Sequence, residues 1–455
     1  MYVLRKIQAC PVTLVRAAST STESKRKLPG IVLIDAVRTP FATASTVYKD
    51  LLAVDLQRAA FKNLIERTAV PFEDIGHIVA GTVIQESRTS NIAREAALTA
   101  GFPNKIPCHT VTLACISSNM AVSSVVDQIA TGKVEAGIAG GVEFLSDVPV
   151  RYNRTARTAM RGLNRAKNIQ QKLRFGMTLA KNFMTPELPE VPAITEFTSG
   201  ESMGHSCDRL ASTFGVSRRE QDEFALRSHT LAEKATKEGK LTDLVPYSVT
   251  NGKDQQTVSK DNTVRVSTIE KLSALKPVFI KPHGTITPGN ASPFTDGASA
   301  ALISTEEYAK RRGYKPKAFI RDIVFVAQDP KDELLLGPAY AIPRVLKQSG
   351  LKLQDIDVFE LHEAFAGQVL ANLNALGPGF FLQGKFGRLP MEKLNLWGGS
   401  LSLGHPFGAT GIRLIAHAAN RLNDENGRFA LVAACAAGGH GVGMIIERYQ
   451  PTDKQ

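Results

Sequence analysis

A chain of 455 residues with 43% hydrophobic and 22% charged residues is a packed globular protein, large enough for two or three structural units and too apolar to be disordered. No stretch is apolar for the roughly 18 residues that a membrane-spanning helix requires, and five cysteines without a CxxC pair exclude a disulfide framework and a zinc site. The formal charge of +12 raises nucleic acid or an anionic membrane as partners.

Residues 1–28 carry basic residues and hydroxyls, with Glu23 the only acid through Lys27, which is the composition of a mitochondrial transit peptide. A secretory signal would need a long apolar core before its cleavage site. A peroxisomal address fails twice: the N-terminal basic/aliphatic pattern breaks at one position, and the C-terminal TDKQ is not of the SKL type. Farther on, FEDIGHIVAG (72–81) follows a helix-like apolar periodicity and leads into a strand-like run. The stretch HTVTLA then reads as a strand and SSNMAVSSVVDQIATG as a helix, which puts the thiol of Cys115 at a helix N-terminus. Dipole and free N–H groups there favour the thiolate.

Residues 151–184 hold nine basic residues and no acid, so that this segment and the leader account for the charge excess and the remainder is close to neutral. On a helical wheel Arg154, Arg157, Arg161 and Arg165 share one arc, with Tyr152, Ala156, Met160 and Leu163 opposite. This amphipathic basic helix suits an anionic lipid surface. It lacks the interleaved aromatic platforms of single-strand binders, so no nucleic acid is expected. The surrounding stretch, 148–289, contains Pro186, Pro189, Pro192 and the turn Asn251-Gly252-Lys253-Asp254, and reads as an inserted unit rather than a connection.

The order of elements then reads either as a second copy of one α/β unit or as chance similarity of βα segments. LQDIDVFELH (353–362) parallels FEDIGHIVAG, and SLGHPFGATGIRLIAHAANRLNDENGRFALVAACAAGG parallels TLACISSNMAVSSVVDQIATGKVEAGIAGGVE as reactive loop, helix, polar turn, strand and Gly-rich turn. Three short stretches rich in small residues carry reactive groups: Cys115 in LACISSN, His405 in GGSLSLGHPFGATG and Cys435 in CAAGGHG. A lone cysteine is most often a small buried hydrophobe. A thiol at a helix start with an imidazole to take its proton is instead a nucleophile arrangement.

These stretches, with DAVRTPF (35–41), GTVIQ (81–85), SNIAREAAL (90–98), AGGVEFLSD (139–147), GESMGHSCDRLA (200–211), GNASPFTDGASA (289–300) and HEAFA (362–366), resemble the thiolase family over nearly the whole chain beyond the leader. The resemblance implies an α/β thiolase fold: two similar halves in a layered αβαβα arrangement, helices lying outside and between two mixed sheets. The N-terminal half would span 29–147 and 290–311, the loop domain 148–289 and the C-terminal half 312–455. It also implies 3-ketoacyl-CoA thiolysis, with Cys115 carrying the acyl group, His405 activating it and Cys435 moving protons. Coenzyme A is then a co-substrate, and no metal, nicotinamide or flavin is required. Met203, His205 and Ser292 match the parts of the family that hold pantetheine.

Two departures narrow the reading. His362 stands where most thiolases have Asn, a substitution associated with the long-chain enzymes of mitochondrial β-oxidation. Those associate, as homodimers, with a hydratase/dehydrogenase α subunit on the matrix side of the inner membrane, where cardiolipin is the expected lipid. A neutral His362 would donate one hydrogen bond, as Asn does, whereas its cation would stabilise negative charge more strongly. Ala437 stands in a usual Gly position, where φ > 0 is disfavoured. Glu363 beside His362 holds a loop or a catalytic water, or makes a structural hydrogen bond at a helix start. The alternatives are a biosynthetic acetoacetyl-CoA thiolase, a ketoacyl synthase-like condensing enzyme, and an inactive scaffold.

Overall fold

The computed structural model describes residues 30–450 apart from 185–188, 194, 252–253 and 378–385. The leader therefore lies outside the described residues, as does Pro186. In the first half β1 (Ile31–Arg38) and β2 (Ala42–Thr43) precede α1 (Ala53–Thr68), β3 (His77–Gly81), α2 (Ile92–Ala100), β4 (Cys108–Val111), α3 (Ser117–Ala130) and β5 (Ala136–Glu143). The inserted stretch supplies α4 (Arg154–Arg165), α5 (Ile169–Met184), α6 (Met203–Thr213), α7 (Arg218–Lys237), the hairpin β6 (Tyr247–Asn251) and β7 (Asp254–Val258), and α8 (Ile269–Ser273). The chain then returns through β8 (Thr295–Thr305) and α9 (Glu306–Arg312) to a second half: β9 (Ala318–Ala327), α10 (Gly337–Ser349), β10 (Val358–Leu361), α11 (Ala366–Leu376), α12 (Ser400–Leu403), α13 (Thr410–Asp424), β11 (Phe429–Ala436) and β12 (His440–Arg448).

The repeat read from the sequence is visible as geometry. Each FEDI- or LQDI-type stretch forms one 3-10 turn, Phe72–Asp74 or Leu353–Asp355, before its strand. Each reactive loop leads through a central helix, α3 or α13, to a buried strand, β5 or β11. The expectation of two sheets needs one correction. Among the described residues, apart from the separate β6–β7 hairpin and from β2, which pairs with β8, the strands form one hydrogen-bonded path, β10-β11-β12-β9-β1-β8-β5-β3-β4, whose two halves meet in a β1–β9 ladder of only two residue pairs. So short a ladder leaves room for the sheet to fold back on itself with α3 and α13 packed in between, where one hydrophobic cluster draws on both helices and on strands of both halves.

Burial explains the sequence patterns. Every residue of β5, β8 and β11 is buried, so these strands are continuous runs of small and apolar residues rather than alternating ones. Central α13 is buried on nearly all sides, and it carries Arg413, His417 and Arg421 into the interior along with its apolar residues. Arg38, from DAVRTPF, is wholly buried and bridges to Asp243 (2.7 Å) and Asp261 (2.6 Å), which pins the inserted stretch to β1.

The basic segment differs from its helical-wheel expectation. It forms two helices, and the apolar face of α4 is consumed inside the pair: Ala156 and Ala159 are buried, and Gly162 lies against the ring of Phe175 on α5. Tyr152 precedes the helix, and Arg157 is paired with Glu190 at 2.6 Å. The apolar surface left in solvent belongs to α5, where Ile169, Leu173, Met177 and Met184 are 58–79% exposed at helical spacing, with Phe183 beside them at 62%.

Candidate active site

Cys115 sits between β4 and α3, one residue before the residue that caps the helix. The chain makes this turn by placing Ala114 at φ 46°, a left-handed conformation that a residue with a Cβ adopts only under constraint. Ser117 supplies the constraint: its hydroxyl donates to the Ala114 carbonyl (2.7 Å) and accepts from the Leu113 N–H (2.8 Å).

His405 enters on the loop between α12 and α13, and His362 from the end of β10. Their rings are 4.1 Å apart between centroids, and Cys115 Sγ lies with a nitrogen of each ring in a group whose members are all within 4.8 Å of one another. Cys435, near the end of β11, is buried within electrostatic reach of Cys115. The structure thus brings Cys115, His405, His362 and Cys435 together from both halves. Backbone meets backbone where they converge: a Cβ on Gly408 would stand 2.3 Å from the Val142 carbonyl oxygen, so only glycine lets the His405 loop approach β5.

Hydrogen bonding settles the tautomer of His405. The Thr410 hydroxyl donates to the Pro406 carbonyl (2.9 Å), so at 2.7 Å from His405 Nδ1 it must accept, which places the ring proton on Nδ1 and a lone pair on Nε2. That Nε2 is buried and has no hydrogen-bond partner among the described residues, as is true of His362 Nε2. Both rings are neutral. Burial, with the Arg413 charge, holds His362 down at about 3, and burial, His362 and Arg413 push His405 well below its ordinary value.

The thiol departs from expectation. Burial first, and then the charge of Glu143, push Cys115 up to about 12, against the backbone N–H groups of Ala437 and of Cys115 itself, which favour the thiolate. Placement before a helix start does not prevail, because the site is desolvated and two carboxylates face it. Cys435 is raised further by burial and by Cys115. The thiols and imidazoles themselves therefore rest uncharged until a proton moves.

Ala437 resolves simply: the left-handed residues of its loop are Gly438 and Gly439, at φ 83° and 70°, so Ala437 keeps a usable N–H without strain. Glu363 clamps a loop, accepting from Ser228 (2.7 Å), Asn395 (2.7 Å) and the Leu401 N–H (3.3 Å). Beside the site, Ser292 donates its N–H to the Ala364 carbonyl (2.9 Å), Met203 opens α6 against the C-terminal core, and the exposed His205 ring packs on Phe279, which in turn meets Phe365.

Two acids escaped the sequence reading. Glu143, inside AGGVEFLSD, accepts from the N–H groups of Val83 (3.1 Å), Ile84 (2.9 Å) and Gly408 (3.0 Å). Burial nonetheless raises it to about 7. Glu196, from the inserted stretch, accepts from the Gly438 N–H (3.0 Å) at the Cys435 loop. No spacing signal marks either, since each acts on a backbone group distant in sequence.

Models of the thiolase N-terminal domain and the thiolase C-terminal domain match residues 31–307 and 314–448. The chain belongs to the thiolase family. This thiolase is 62% identical over 449 residues to a probable 3-ketoacyl-CoA thiolase of Caenorhabditis elegans, covering 97% of this chain and 99% of that one. It is 54% identical to the human mitochondrial trifunctional enzyme subunit beta, over 98% of this chain and 93% of that protein. Among solved structures, human mitochondrial 3-ketoacyl-CoA thiolase in complex with CoA superposes with a TM-score of 0.79 at 30% identity, covering 92% of this chain and 98% of that one. Bacillus anthracis acetyl-CoA acetyltransferase does so with 0.81 at 32%, covering 93% and 99%.

Proposed function

We propose that this thiolase is a 3-ketoacyl-CoA thiolase of mitochondrial fatty acid β-oxidation, an acetyl-CoA C-acyltransferase that cleaves long-chain 3-ketoacyl-CoA with CoA. The observation that carries the reading is the half-buried thiol of Cys115 grouped with two neutral histidines whose Nε2 atoms have no hydrogen-bond partner among the described residues. His405 Nε2 takes the Cys115 proton as the sulfur attacks C3 of the substrate, and the N–H groups of Cys115 and Ala437 receive the oxyanion. The C2–C3 bond then breaks toward an acetyl-CoA enolate. His405, now carrying a proton on Nε2, and His362 donate to the enolate oxygen, while the Cys435 thiol protonates the carbon.

Free CoA completes the cycle. Cys435 takes the proton from its thiol, the CoA sulfur attacks the acyl-Cys115 thioester, and the released thiolate recovers its proton from His405. Every proton lent is returned, and the balance requires no other reagent. The resemblance of their stretches to the pantetheine-binding parts of the family supports Ser292, Met203 and His205 as CoA contacts, with the His205 ring packed on Phe279.

Several features support the finer reading of place and partners. The relatives named subunit beta of a trifunctional enzyme support a hydratase/dehydrogenase α subunit as partner and the mitochondrion as location. The exposed α5 stripe flanked by Lys172 and Arg174 supports peripheral attachment to a cardiolipin-containing inner-membrane surface on the matrix side. No helix among the described residues is long and apolar enough to cross a membrane. Strand β4, at the edge of the described sheet, supports pairing of two copies as a homodimer.

The test is direct. Enzyme mixed with 3-ketopalmitoyl-CoA without free CoA should carry a chain shortened by two carbons on Cys115, located by digestion and mass spectrometry; Cys115→Ser should carry none. An adduct confined to Cys435 would overturn the assignment. Turnover of acetoacetyl-CoA in preference to 3-ketopalmitoyl-CoA would favour the biosynthetic alternative.

A further inference from the structure

A neutral histidine serves as a hydrogen-bond donor at Nε2 only if Nδ1 holds a lone pair and not the proton, and nothing in the imidazole itself enforces that choice. His362 Nδ1 lies 3.0 Å from Ser400 Oγ, and Ser400 Oγ lies 2.8 Å from Arg413 Nη2, all three side chains being fully buried. Arginine has no acceptor, so Ser400 must accept from Arg413. The single hydroxyl proton of Ser400 is then left to point at His362 Nδ1. The opposite arrangement would make Ser400 accept twice and leave its own proton without a partner among fully buried side chains.

Arg413 is otherwise badly placed for stability. Its Nε and Nη1 make no hydrogen bond among the described residues, and its nearest carboxylate oxygen, on Glu360, is 3.8 Å away. Glu360 spends its stronger contact, 2.8 Å, on Arg421. A buried guanidinium with one good hydrogen bond is a poor structural tie. The one bond it makes runs toward the reacting atoms. Its charge also lies on the side of both imidazoles, where it opposes their protonation.

We infer that Arg413, acting through Ser400, is a positioning residue that fixes His362 with its proton on Nε2, so that the two histidines face the substrate in opposite tautomers. Thr410 leaves His405 a lone pair with which to take the Cys115 proton; Arg413 and Ser400 leave His362 a proton with which to hold the enolate oxygen. With the other tautomer at His362 a lone pair would confront that oxygen, and the second donor would be lost. The inference deepens the reading under Proposed function and rests on it for the enolate, but the tautomer itself is a property of the resting enzyme.

The experiment therefore has an arm that does not depend on turnover. Nitrogen-15 NMR of histidine-labelled full-length enzyme, with His362 assigned by loss of its signals in His362→Ala, should place the His362 proton on Nε2 in wild type. In Ser400→Ala the proton should shift toward Nδ1 or divide between the two. A His362 proton on Nδ1 in wild type overturns the inference whether or not the enzyme cleaves 3-ketoacyl-CoA. In the kinetic arm, Ser400→Ala should lower kcat by about 10²-fold, the loss expected for one oxyanion donor, with KM little changed. In a His362→Ala background the same substitution should cost less than about threefold, because its target is gone. Additive losses would show that Ser400 only supports the fold, and would also overturn it. Absence of thiolase activity in wild type, with the NMR result as expected, would instead refute the functional reading and leave the tautomer assignment standing.

Discussion

At the residue scale, the site holds the proposed nucleophile in the wrong protonation state and the proposed base in the right one. Cys115 is pushed up to about 12 by burial and Glu143, while His405 keeps an unpartnered lone pair. Burial and the Glu143 charge thus disfavour the thiolate in the free enzyme, which limits stray alkylation and oxidation of the thiol. Glu143 is the removable part of that restraint, since its charge disfavours the thiolate. In Glu143→Gln the restraint falls, so iodoacetamide labelling of Cys115 at pH 8 should accelerate severalfold, read by peptide mass spectrometry against time. Slower labelling would mean that the hydrogen bonds to Val83, Ile84 and Gly408 matter more to the thiol than the charge does.

At the scale of elements, the α4–α5 pair shows how an amphipathic pattern can be right in kind and misplaced in detail. The arginine arc lies on α4, but that helix buries its small residues against α5, and the apolar stripe left exposed is Ile169, Leu173, Met177 and Met184. Membrane attachment through this pair should therefore depend on α5 for its apolar part and on the basic residues of both helices for its salt-sensitive part. Leu173→Glu with Met177→Glu, studied in complex with the α subunit, should abolish flotation with cardiolipin liposomes at all salt concentrations. Arg154, Arg161 and Arg165 changed to Gln should weaken it chiefly at low salt. Thiolysis of soluble acetoacetyl-CoA should persist in both. Undiminished flotation of the double Glu variant would move the contact elsewhere.

At the scale of the whole molecule, burying neutral histidines ties stability to pH. His362 is held at about 3 in the folded protein, against about 6.5 in an unfolded chain. A group depressed on folding contributes stability that is fully present above 6.5 and is lost as pH falls toward 3, because only the unfolded chain takes up the proton in that window. Between pH 7.5 and 5.0 this one residue should cost the folded state on the order of 2 kcal/mol. Urea titrations at the two pH values should show wild type losing that much more stability than His362→Asn. Equal losses would mean that the ring is charged, or solvated, in the folded protein. Glu143, held near 7, acts in the opposite sense, which is why the comparison with a variant is more telling than the wild-type profile alone.

The sequence by itself determined the local parts of this protein: which short stretches carry Cys115, His405 and Cys435, and that an acid-free basic segment interrupts the first half. Each of these is written in neighbouring residues, as a strand-to-helix passage, a glycine-rich turn or a charge count. Tertiary structure alone decided what those parts do to one another. The proton on His362 is set by Ser400 and Arg413, 38 and 51 residues away. Glu143 and Glu196 act on loops 265 and 242 residues off, and the apolar face of α4 is spent on a neighbour that a single helical wheel cannot represent. Tautomers, thiol acidity and surface exposure depend on desolvation and on partners brought close by folding, and neither is a property of a residue's neighbours along the chain.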